Sequence, residues 1–275
     1  MDRPKTAVLK FGGEVVADPD HLGAVLRDVA ALTEAGWRFV LCHGGGPQAS
    51  ALGERLGLET TKVAGQRITD EATLQVVCQA IAGQVSCRVV AAAWASGLPA
   101  MGISAGLIRA RRRAPVQVSS EGGRVVDYGL VGDVTQVDRP ALEACWAAGR
   151  TPILNPIGVG ADGALFNINA DTVAAAVAVA LAAQHMFAIT AVPGVLADRN
   201  DPGTRIPALT PASAREAIAA GTIVGGMIPK VEEALAALEG GVEAVHVLAP
   251  EAGALAAEAR MGGSRGTVLR PRSQP

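Results

Sequence analysis

Aromatic residues are scarce in this chain: they make up 3% of its 275 residues, with one Tyr, three Trp and four Phe. Proteins that bind single-stranded nucleic acids stack the bases on aromatic side chains, so this composition argues against such a surface. The formal net charge is −2, which provides no basic patch for DNA or for an anionic membrane. We therefore expect neither a nucleic acid nor a membrane as a partner.

Lysine and cysteine are also rare. Only four residues are Lys (Lys5, Lys10, Lys62 and Lys230), and each deserves inspection because a planar guanidinium cannot always replace a compact ammonium. The four cysteines form no C-x-x-C pair and have no zinc-site spacing, so we expect buried thiols, no metal site and a reducing compartment. The N-terminus lacks the apolar run of a signal peptide, and we predict a cytoplasmic protein.

Short β-like runs alternate with helical patterns along the chain. This alternation is typical of a mainly parallel sheet with helices on both faces. Residues 7–11 are the first predicted strand and residues 245–248 the last core strand, while residues 107–134 have the pattern of hairpins. A change in composition near residues 156–162 predicts a boundary between two lobes, 1–160 and 161–275.

Two glycine-rich segments follow predicted strands. In residues 10–13 (KFGG), glycine lets the backbone approach a phosphate and lysine adds a positive charge; taken alone, this string is also typical of an ordinary turn. In residues 43–47 (HGGGP), three glycines precede a helix whose first N–H groups are available to an anion. Walker A spacing and the G-x-S-x-G string of esterases are both missing.

Two further segments place polar residues where packing does not explain them. Residues 167–172 (NINADT) carry polar side chains at alternate positions before an apolar helix; a helix N-cap accounts for Asp171 but not for both Asn residues. In residues 225–230 (GGMIPK), Lys230 lies in the first turn of a predicted helix, where the helix dipole disfavours a cation. We interpret this placement as a sign of an anionic ligand.

Seven strings occur in order along the chain: VLKFGG, HGGGPQASALGERLGL, AGQRITDEAT, YGLVGDV, FNINADTVAAA, VPGVL and GGMIPKVEEAL. In this combination the chain resembles the acetylglutamate kinases of the amino acid kinase family over essentially its whole length. The resemblance implies an α/β three-layer sandwich with an open, mostly parallel eight-stranded sheet. Its N-terminal lobe would bind the amino acid and dimerise, and its C-terminal lobe would bind ATP. The implied enzyme of arginine biosynthesis transfers the γ-phosphoryl group of MgATP to the side-chain carboxylate of N-acetyl-L-glutamate.

The resemblance also implies roles for individual residues. Lys10 and Lys230 would stabilise the transferred phosphoryl group, and Asp171 would orient both ammonium groups. Arg67 and Asn167 would bind the α-carboxylate and the α-amide region of the amino acid. Backbone N–H groups for the phosphates and the attacking carboxylate would come from Gly12, Gly13, Gly44 and Gly45. The nucleotide would lie against Val192, Gly194, Val195, Leu196, Thr222, Ile223 and Val224, and Mg²⁺ would arrive with ATP without dedicated protein ligands.

The sequence departs from the family pattern at three places. Ala191 stands where the family usually has Asp, residues 102–106 (GISAG) are contracted, and residues 85–87 (VSC) replace V-N-K. Two alternatives therefore stay open. One is a kinase for glutamate or α-aminoadipate carried on a small acidic protein; the other is a non-catalytic amino acid or nucleotide sensor. Such a carrier would dock on a cluster of basic residues: Arg109, Arg111, Arg112 and Arg113. The same cluster is also typical of a hairpin face that is exposed to solvent.

Overall fold

The computed structural model describes residues 4–118 and 122–271. Its strands are β1 (Thr6–Phe11), β2 (Arg38–His43), β3 (Lys62–Val63), β4 (Gln66–Arg67), β5 (Ala100–Ile103), β6 (Ile108–Arg112), β7 (Val116–Val118), β8 (Arg124–Val126), β9 (Gly132–Val137), β10 (Thr151–Leu154), β11 (Ile157–Val159), β12 (Leu165–Asn167), β13 (His185–Ile189), β14 (Ala208–Leu209), β15 (Ala244–Leu248) and β16 (Thr267–Leu269). Its helices are α1 (Gly13–Ala17), α2 (Pro19–Glu34), α3 (Gly46–Arg55), α4 (Glu71–Val77), α5 (Ser86–Ala95), α6 (Arg139–Ala147), α7 (Ala170–Leu181), α8 (Pro211–Ala219), α9 (Met227–Glu239) and α10 (Ala254–Arg260). A π-helical segment, Cys78–Val85, joins α4 to α5, and Pro202–Thr204 form a 3-10 turn.

Eight strands form one central sheet in the order β14-β16-β15-β13-β1-β2-β10-β5. Neighbouring strands are parallel, except that β16 runs antiparallel to β15. The sheet passes without interruption from one half of the chain to the other, since β13 pairs with β1. The predicted open, mostly parallel eight-stranded sheet is confirmed.

Helices cover both faces of this sheet. Leu9 and Phe11 of β1 pack in a hydrophobic cluster with residues of α2, α5 and α10, whereas Val8 packs in a second cluster with residues of α7 and α9. Successive side chains of a strand point to opposite faces of the sheet. Lys10 therefore lies on the same face as Val8, toward α7.

Local signals in the sequence explain where several helices begin and end. Helix α2 starts with Pro19 after the N-cap Asp18, whose carboxylate accepts hydrogen bonds from the next turn, and α4 starts after Asp70, which accepts from the N–H of Thr73 at 2.8 Å. Helix α3 stops before Gly57, which has φ +74°, a conformation that glycine adopts without steric cost. Each of these boundaries coincides with a capping residue or a glycine in the sequence.

A second, smaller sheet has the strand order β12-β11-β6-β9, and β7 pairs with β8 as a separate hairpin. The predicted hairpins between residues 107 and 134 are thus present. Strands β11 and β12 pair with each other across residue 160, so the predicted lobe boundary at that residue falls within a hairpin. The division into lobes stays a prediction.

Three expectations differ from the structure. The strand at residues 245–248 is not the last one, because β16 follows it and pairs with it; β16 has only three residues and gives too short a pattern to be recognised. Helix α10 was not predicted either. Of the cysteines, Cys42 and Cys145 are buried, but Cys87 is exposed on α5, so burial of all four thiols was wrong.

The continuous helix Glu71–Ala95 is long and apolar enough to cross a membrane by length and composition. Core helices of soluble proteins meet the same criterion, and 44% of its most apolar window is buried inside the protein. Its uncovered side includes Trp94, whose exposed fraction is 50%. The helix therefore has one face packed against the fold and another that carries apolar surface.

Candidate active site

A cavity of about 530 Å³ opens at the carboxyl ends of β1 and β2. Ligands of open α/β sheets bind at this end of the strands, and the volume lies in the range of small-molecule sites. Both glycine-rich segments reach it. The predicted site residues that line the cavity are Lys10, Gly12, Gly13, Gly44, Gly45, Arg67, Asn167 and Lys230.

Two lysines approach one carboxylate at the edge of this cavity. The Nζ atom of Lys10 lies 2.9 Å from Oδ1 and 3.0 Å from Oδ2 of Asp171, and Lys230 Nζ lies 3.8 Å from Oδ2. The N-cap of α7 is Asn169, which accepts a hydrogen bond from the N–H of Asp171, so Asp171 itself is not the cap. Its carboxylate stands in the first helical turn, where the dipole favours negative charge.

The positive charge of Lys230 is only partly neutralised by neighbouring carboxylates. Burial lowers the pKa of Lys230 and the ammonium of Lys10 lowers it further, while Asp171 and Glu14 raise it. The balance leaves the pKa below the ordinary value of lysine. An anion placed beside Lys230 would favour its charged form, so the electrostatics of this site fit a phosphate.

The two glycine-rich loops touch each other, and the contact requires glycine at position 13. A Cβ on Gly13 would lie 2.4 Å from Oε1 of Gln48 and 3.0 Å from the Cα of Gly45. The N–H of Gly44 donates to the carbonyl of Phe11 at 2.9 Å. This hydrogen bond extends the β1–β2 ladder by one residue. The roles of Gly12, Gly13, Gly44 and Gly45 as backbone donors to the substrates stay predictions.

Arg67 carries a buried positive charge with neutral partners. Its guanidinium donates to Oγ1 of Thr60 at 2.8 Å, to Oγ of Ser50 at 2.8 Å and to the carbonyl of Gly46 at 3.1 Å. Burial lowers the pKa of Arg67. All three hydrogen bonds that are observed within the described part of the chain go to uncharged oxygens, so the guanidinium fits a carboxylate from a ligand.

A short hairpin forms one wall of the cavity. Its strands β3 and β4 are joined by Ala64 and Gly65, with φ +48° and +78°, as a two-residue turn with two positive φ angles requires. Beside it, Asn167 donates from Nδ2 to Oγ1 of Thr69 at 3.1 Å, which orients the amide. The amide group of Asn167 thus lies near the side of the cavity where Arg67 is.

The sequence prediction did not assign several charged or polar residues that line the cavity to this site, among them Lys62, Arg113, Thr172 and Glu233. Arg113 donates to Oδ1 of Asp133 at 2.7 Å and to Oε1 of Gln66 at 2.8 Å, so it is not a free member of an arginine cluster on the hairpin. Oγ1 of Thr172 donates to Oε1 of Glu233 at 2.6 Å, and burial raises the pKa of Glu233. The spacing of three residues from Lys230 was the available signal for Glu233.

The two predicted nucleotide segments, 192–196 and 222–224, follow β13 and precede α9. Neither lines the cavity around Lys10. Val195 and Ile223 are buried as whole residues in one hydrophobic cluster, so the surface that these segments offer to a nucleotide comes from their partly exposed residues, such as Val192 and Thr222. This shared cluster holds the two segments together.

Residues 5–249 match the profile of the amino acid kinase family. The chain belongs to the amino acid kinase family. Its similarity extends to acetylglutamate kinases of Sorangium cellulosum, with 48% identity over 96% of this chain and 94% of the relative, and of Symbiobacterium thermophilum, with 42% identity over 89% and 84%. The resemblance drawn from the seven strings is confirmed.

The fold of this chain is also similar to those of solved structures. The N-acetylglutamate synthase of Neisseria gonorrhoeae, complexed with coenzyme A and N-acetyl-glutamate, has a TM-score of 0.81 at 29% identity; the match covers 99% of this chain and 61% of that one. Carbamate kinase from Giardia lamblia bound to AMP-PNP has a TM-score of 0.71 at 16% identity, covering 99% and 100% of the two chains. At that identity the likeness shows the fold alone.

The three departures from the family pattern lie outside the cavity around Lys10. Residues 102–106 include the end of β5, and Ile103 and Gly106 line a different cavity. In the second departure, residues 85–87, Oγ of Ser86 lies 2.9 Å from Nε2 of the buried His43, so Ser86 contacts the residue that precedes the glycine loop. Burial lowers the pKa of His43 to about 4.

The third departure, Ala191, is exposed and follows β13.

Proposed function

We propose that this chain is an acetylglutamate kinase: it transfers the γ-phosphoryl group of ATP to the side-chain carboxylate of N-acetyl-L-glutamate and produces an acyl phosphate. The observation that carries the proposal is the convergence of Lys10 and Lys230 on Asp171 beside the two glycine loops. The names of relatives that are 41–48% identical support it. In this function the enzyme serves arginine biosynthesis.

Transfer between two anions requires positive charge around the moving group more than covalent help from the protein. Lys10 and Lys230 supply that charge from two sides. Asp171 holds the lysines in place rather than acting as a base, because it already accepts from Lys10. The arrangement is preformed, so little reorganisation is needed as negative charge moves from the attacking carboxylate oxygen to the leaving oxygen of ADP.

The reaction balances without a proton. An oxygen of the substrate carboxylate forms a bond to the γ-phosphorus, and the bond from that phosphorus to the bridging oxygen of ADP breaks. The attacking carboxylate is already ionised at neutral pH, so no general base is required. Arg67 binds the α-carboxylate of the amino acid, Asn167 its amide region, and the hairpin of β3 and β4 excludes water from the acyl phosphate.

The residues fit a magnesium ion that arrives on the nucleotide. Phosphate oxygens and water supply most ligands of such an ion, and proteins add one or two carboxylates. Glu14 and Glu233 line the cavity, whereas the described part of the chain has no group of three or more His, Cys, Asp or Glu able to hold a metal. When bound, Mg²⁺ neutralises charge on the phosphates. The nucleotide itself lies against segments 192–196 and 222–224.

The two alternatives are less favoured. Of the four arginines suggested as a docking surface for a carrier protein, Arg109 and Arg111 are exposed, but the charge of Arg112 is paired with Asp127 and Arg113 faces the cavity. A non-catalytic sensor would have no use for two lysines around one carboxylate. The relatives named acetylglutamate kinase support neither alternative.

A hydroxylamine trap tests the proposed function, because hydroxylamine converts an acyl phosphate into a stable hydroxamate. The purified protein is given MgATP and, separately, N-acetylglutamate, glutamate, α-aminoadipate or a carrier-linked acceptor. We expect hydroxamate with N-acetylglutamate and at least 100-fold less with the free amino acids. ADP release without hydroxamate, or preference for another acceptor, would overturn the proposal.

The same proposal includes a cytoplasmic homodimer. Trp94 on α5 and Met101 on β5 are exposed by 50% and 42%, and β5 is an edge strand of the central sheet. A second copy of the chain would cover this apolar surface and the uncovered side of helix Glu71–Ala95. A symmetric interface of this kind places the same patch of both subunits in contact.

A further inference from the structure

A buried carboxylate outside the cavity holds a loop of the C-terminal half. Glu258 of α10 is fully buried. Its Oε1 accepts from the N–H of Gly263 at 2.5 Å and lies 3.0 Å from Nδ1 of His246. Its Oε2 accepts from the N–H groups of Arg265 at 2.9 Å and Gly266 at 3.0 Å. The carboxylate therefore closes residues 263–266 around itself.

The charge of this carboxylate is retained at any working pH. Burial alone would raise the pKa of Glu258, but the hydrogen bonds from His246 and from three backbone N–H groups lower it to about 2. A second charged group holds the same loop from its outer side: the guanidinium of Arg205 donates to the carbonyls of Gly263 and Gly266. The loop 263–266 is thus held through its N–H groups by Glu258 and through its carbonyl groups by Arg205.

This loop leads directly into the residue that holds the first nucleotide segment. Thr267 is fully buried, and its Oγ1 accepts from the N–H of Val195 at 2.8 Å and donates to the carbonyl of Ile206 at 2.6 Å. The carbonyl of Val195 in turn accepts from the N–H of Ile206 at 2.8 Å. Both backbone polar groups of Val195 are therefore fixed.

Gly194, the residue before Val195, lies so close to Thr267 that a side chain would not fit. Gly194 has φ +152°, and a Cβ on it would lie 2.6 Å from Oγ1 of Thr267. A chain of contacts thus runs from Glu258 through the loop 263–266 and Thr267 to the backbone of residues 194–195. Residues 194 and 195 are themselves buried, and the partly exposed residues Val192 and Pro193 precede them. The fixed backbone of residues 194–195 therefore sets the position of that exposed surface.

We propose that Glu258 and Thr267 are positioning residues for the nucleotide: by fixing the buried backbone of Gly194 and Val195, they place the partly exposed residues Val192 and Pro193 where they contact ATP. The inference rests on the proposed function, in which segment 192–196 contacts the nucleotide. Neither residue touches the cavity around Lys10, so their loss should weaken nucleotide binding and leave the amino acid site intact.

The pair Thr267→Val and Thr267→Ser separates hydrogen bonding from packing. Valine keeps the shape of threonine but leaves the N–H of Val195 without its acceptor, which is costly in a buried site; serine keeps the hydroxyl. We expect Thr267→Val to raise the dissociation constant of MgADP and the KM for ATP about 5- to 10-fold, with the KM for N-acetylglutamate within about twofold of wild type. Thr267→Ser should bind MgADP within about twofold of wild type.

Glu258→Gln is expected to act in the same direction, because the carboxamide places an NH₂ donor among backbone donors and removes the charge. Val89→Ala is the control for stability alone, since Val89 of α5 is fully buried in the hydrophobic cluster on the other face of the central sheet from Val195. It should lower the melting temperature and leave the MgADP dissociation constant unchanged. If Glu258→Gln does not fold, the Thr267 pair still decides the question.

Calorimetric titration with MgADP needs neither acceptor nor turnover. Equal MgADP binding by Thr267→Val and Thr267→Ser would overturn the inference, as would a rise of both KM values by the same factor. If the wild-type protein binds MgADP but forms no acyl phosphate, the proposed function fails while the binding data still test the positioning role. The two failures are therefore distinguishable.

Discussion

The ammonium of Lys230 lies 3.8 Å from Oδ2 of Asp171, beyond hydrogen-bond distance, while Lys10 is within 3.0 Å of both oxygens of the same carboxylate. Of the two cations, Lys230 is the less neutralised. It can therefore turn toward a phosphoryl group without losing a hydrogen bond to Asp171. Lys10, by contrast, is held in place before any substrate binds.

Removal of either ammonium should reduce turnover strongly. We expect Lys10→Ala and Lys230→Ala to lower kcat by about 100-fold or more, because each charge stabilises the transition state more than the ground state. Lys5→Ala is the matched control: Lys5 lies over the ring of Trp37 at 5.1 Å, just before β1, and its loss should change kcat less than about twofold. Near-wild-type turnover of either site variant in a steady-state assay would contradict the assigned role.

The pH dependence of kcat should report on Lys230. Burial and the charge of Lys10 lower its pKa below the usual 10.5. The active form is the protonated ammonium, so activity should be present at lower pH and decline as pH rises through this lowered pKa. Glu14→Gln removes a negative charge that raises the pKa, and should move the alkaline decline to lower pH.

An arginine at the same position provides the control, since a guanidinium stays charged at every accessible pH. Whatever residual activity Lys230→Arg retains should lack this alkaline decline. If its pH profile of kcat matches that of the wild type, another group is responsible.

Arg67 should affect the amino acid and not the nucleotide. Its three neutral partners leave a charge suited to a carboxylate, and that contact is the same in the ground state and the transition state. We expect Arg67→Ala to raise the KM for N-acetylglutamate by about 10- to 100-fold with a smaller change in kcat. Arg67→Lys should recover only part of the loss because lysine lacks the bidentate fork. An unchanged KM would place the α-carboxylate elsewhere.

Much of this arrangement could be predicted from the sequence because it depends on local patterns. Residues 7–11 form a short run that is apolar except for Lys10, Asp70 precedes a helix, and three glycines follow β2. The site residues Lys10, Asp171 and Lys230 were identified from strings and residue types. Their common location follows from the parallel sheet, whose strands end at one edge.

Other features depend on contacts that the sequence does not record. Nothing in the string around Arg113 indicates that it faces the cavity and binds Gln66. The engagement of the Gly44 N–H by Phe11 depends on the register between β1 and β2. The three residues of β16 become a strand only because β15 lies beside them.

Gly13 should tolerate no side chain. A Cβ there would meet Oε1 of Gln48 at 2.4 Å and Cα of Gly45 at 3.0 Å, and the backbone contact cannot be relieved by a rotamer change. We expect Gly13→Ala to separate the two glycine loops and to lower kcat/KM for both substrates by at least about 10-fold, since small misplacements in a site are costly. A Cβ on Gly46 would meet nothing within 4 Å, so Gly46→Ala should fold with an unchanged melting temperature. Wild-type kinetics of Gly13→Ala would show that the loops need no close contact.

An apolar surface surrounds Trp94 on α5. Its ring is exposed by 50%, although Nε1 donates to the carbonyl of Ala100 at 3.0 Å and the guanidinium of Arg150 lies 5.0 Å from the ring centre. Met101, on the edge strand β5, is exposed by 42%. An exposed apolar patch beside an open sheet edge is costly in a monomer and is typical of an interface.

We expect the wild-type protein to sediment as a dimer at micromolar concentration. Trp94→Glu and Met101→Glu should each weaken the dimer at least about tenfold, because a desolvated, unpaired carboxylate at an apolar interface is unfavourable. Leu56→Glu introduces the same charge at a residue that is exposed by 56% at the end of α3, away from β5, and should leave the dimer intact. Sedimentation velocity decides between the outcomes: a monomeric wild type, or a Met101→Glu variant that dimerises as Leu56→Glu does, would exclude this face as the interface.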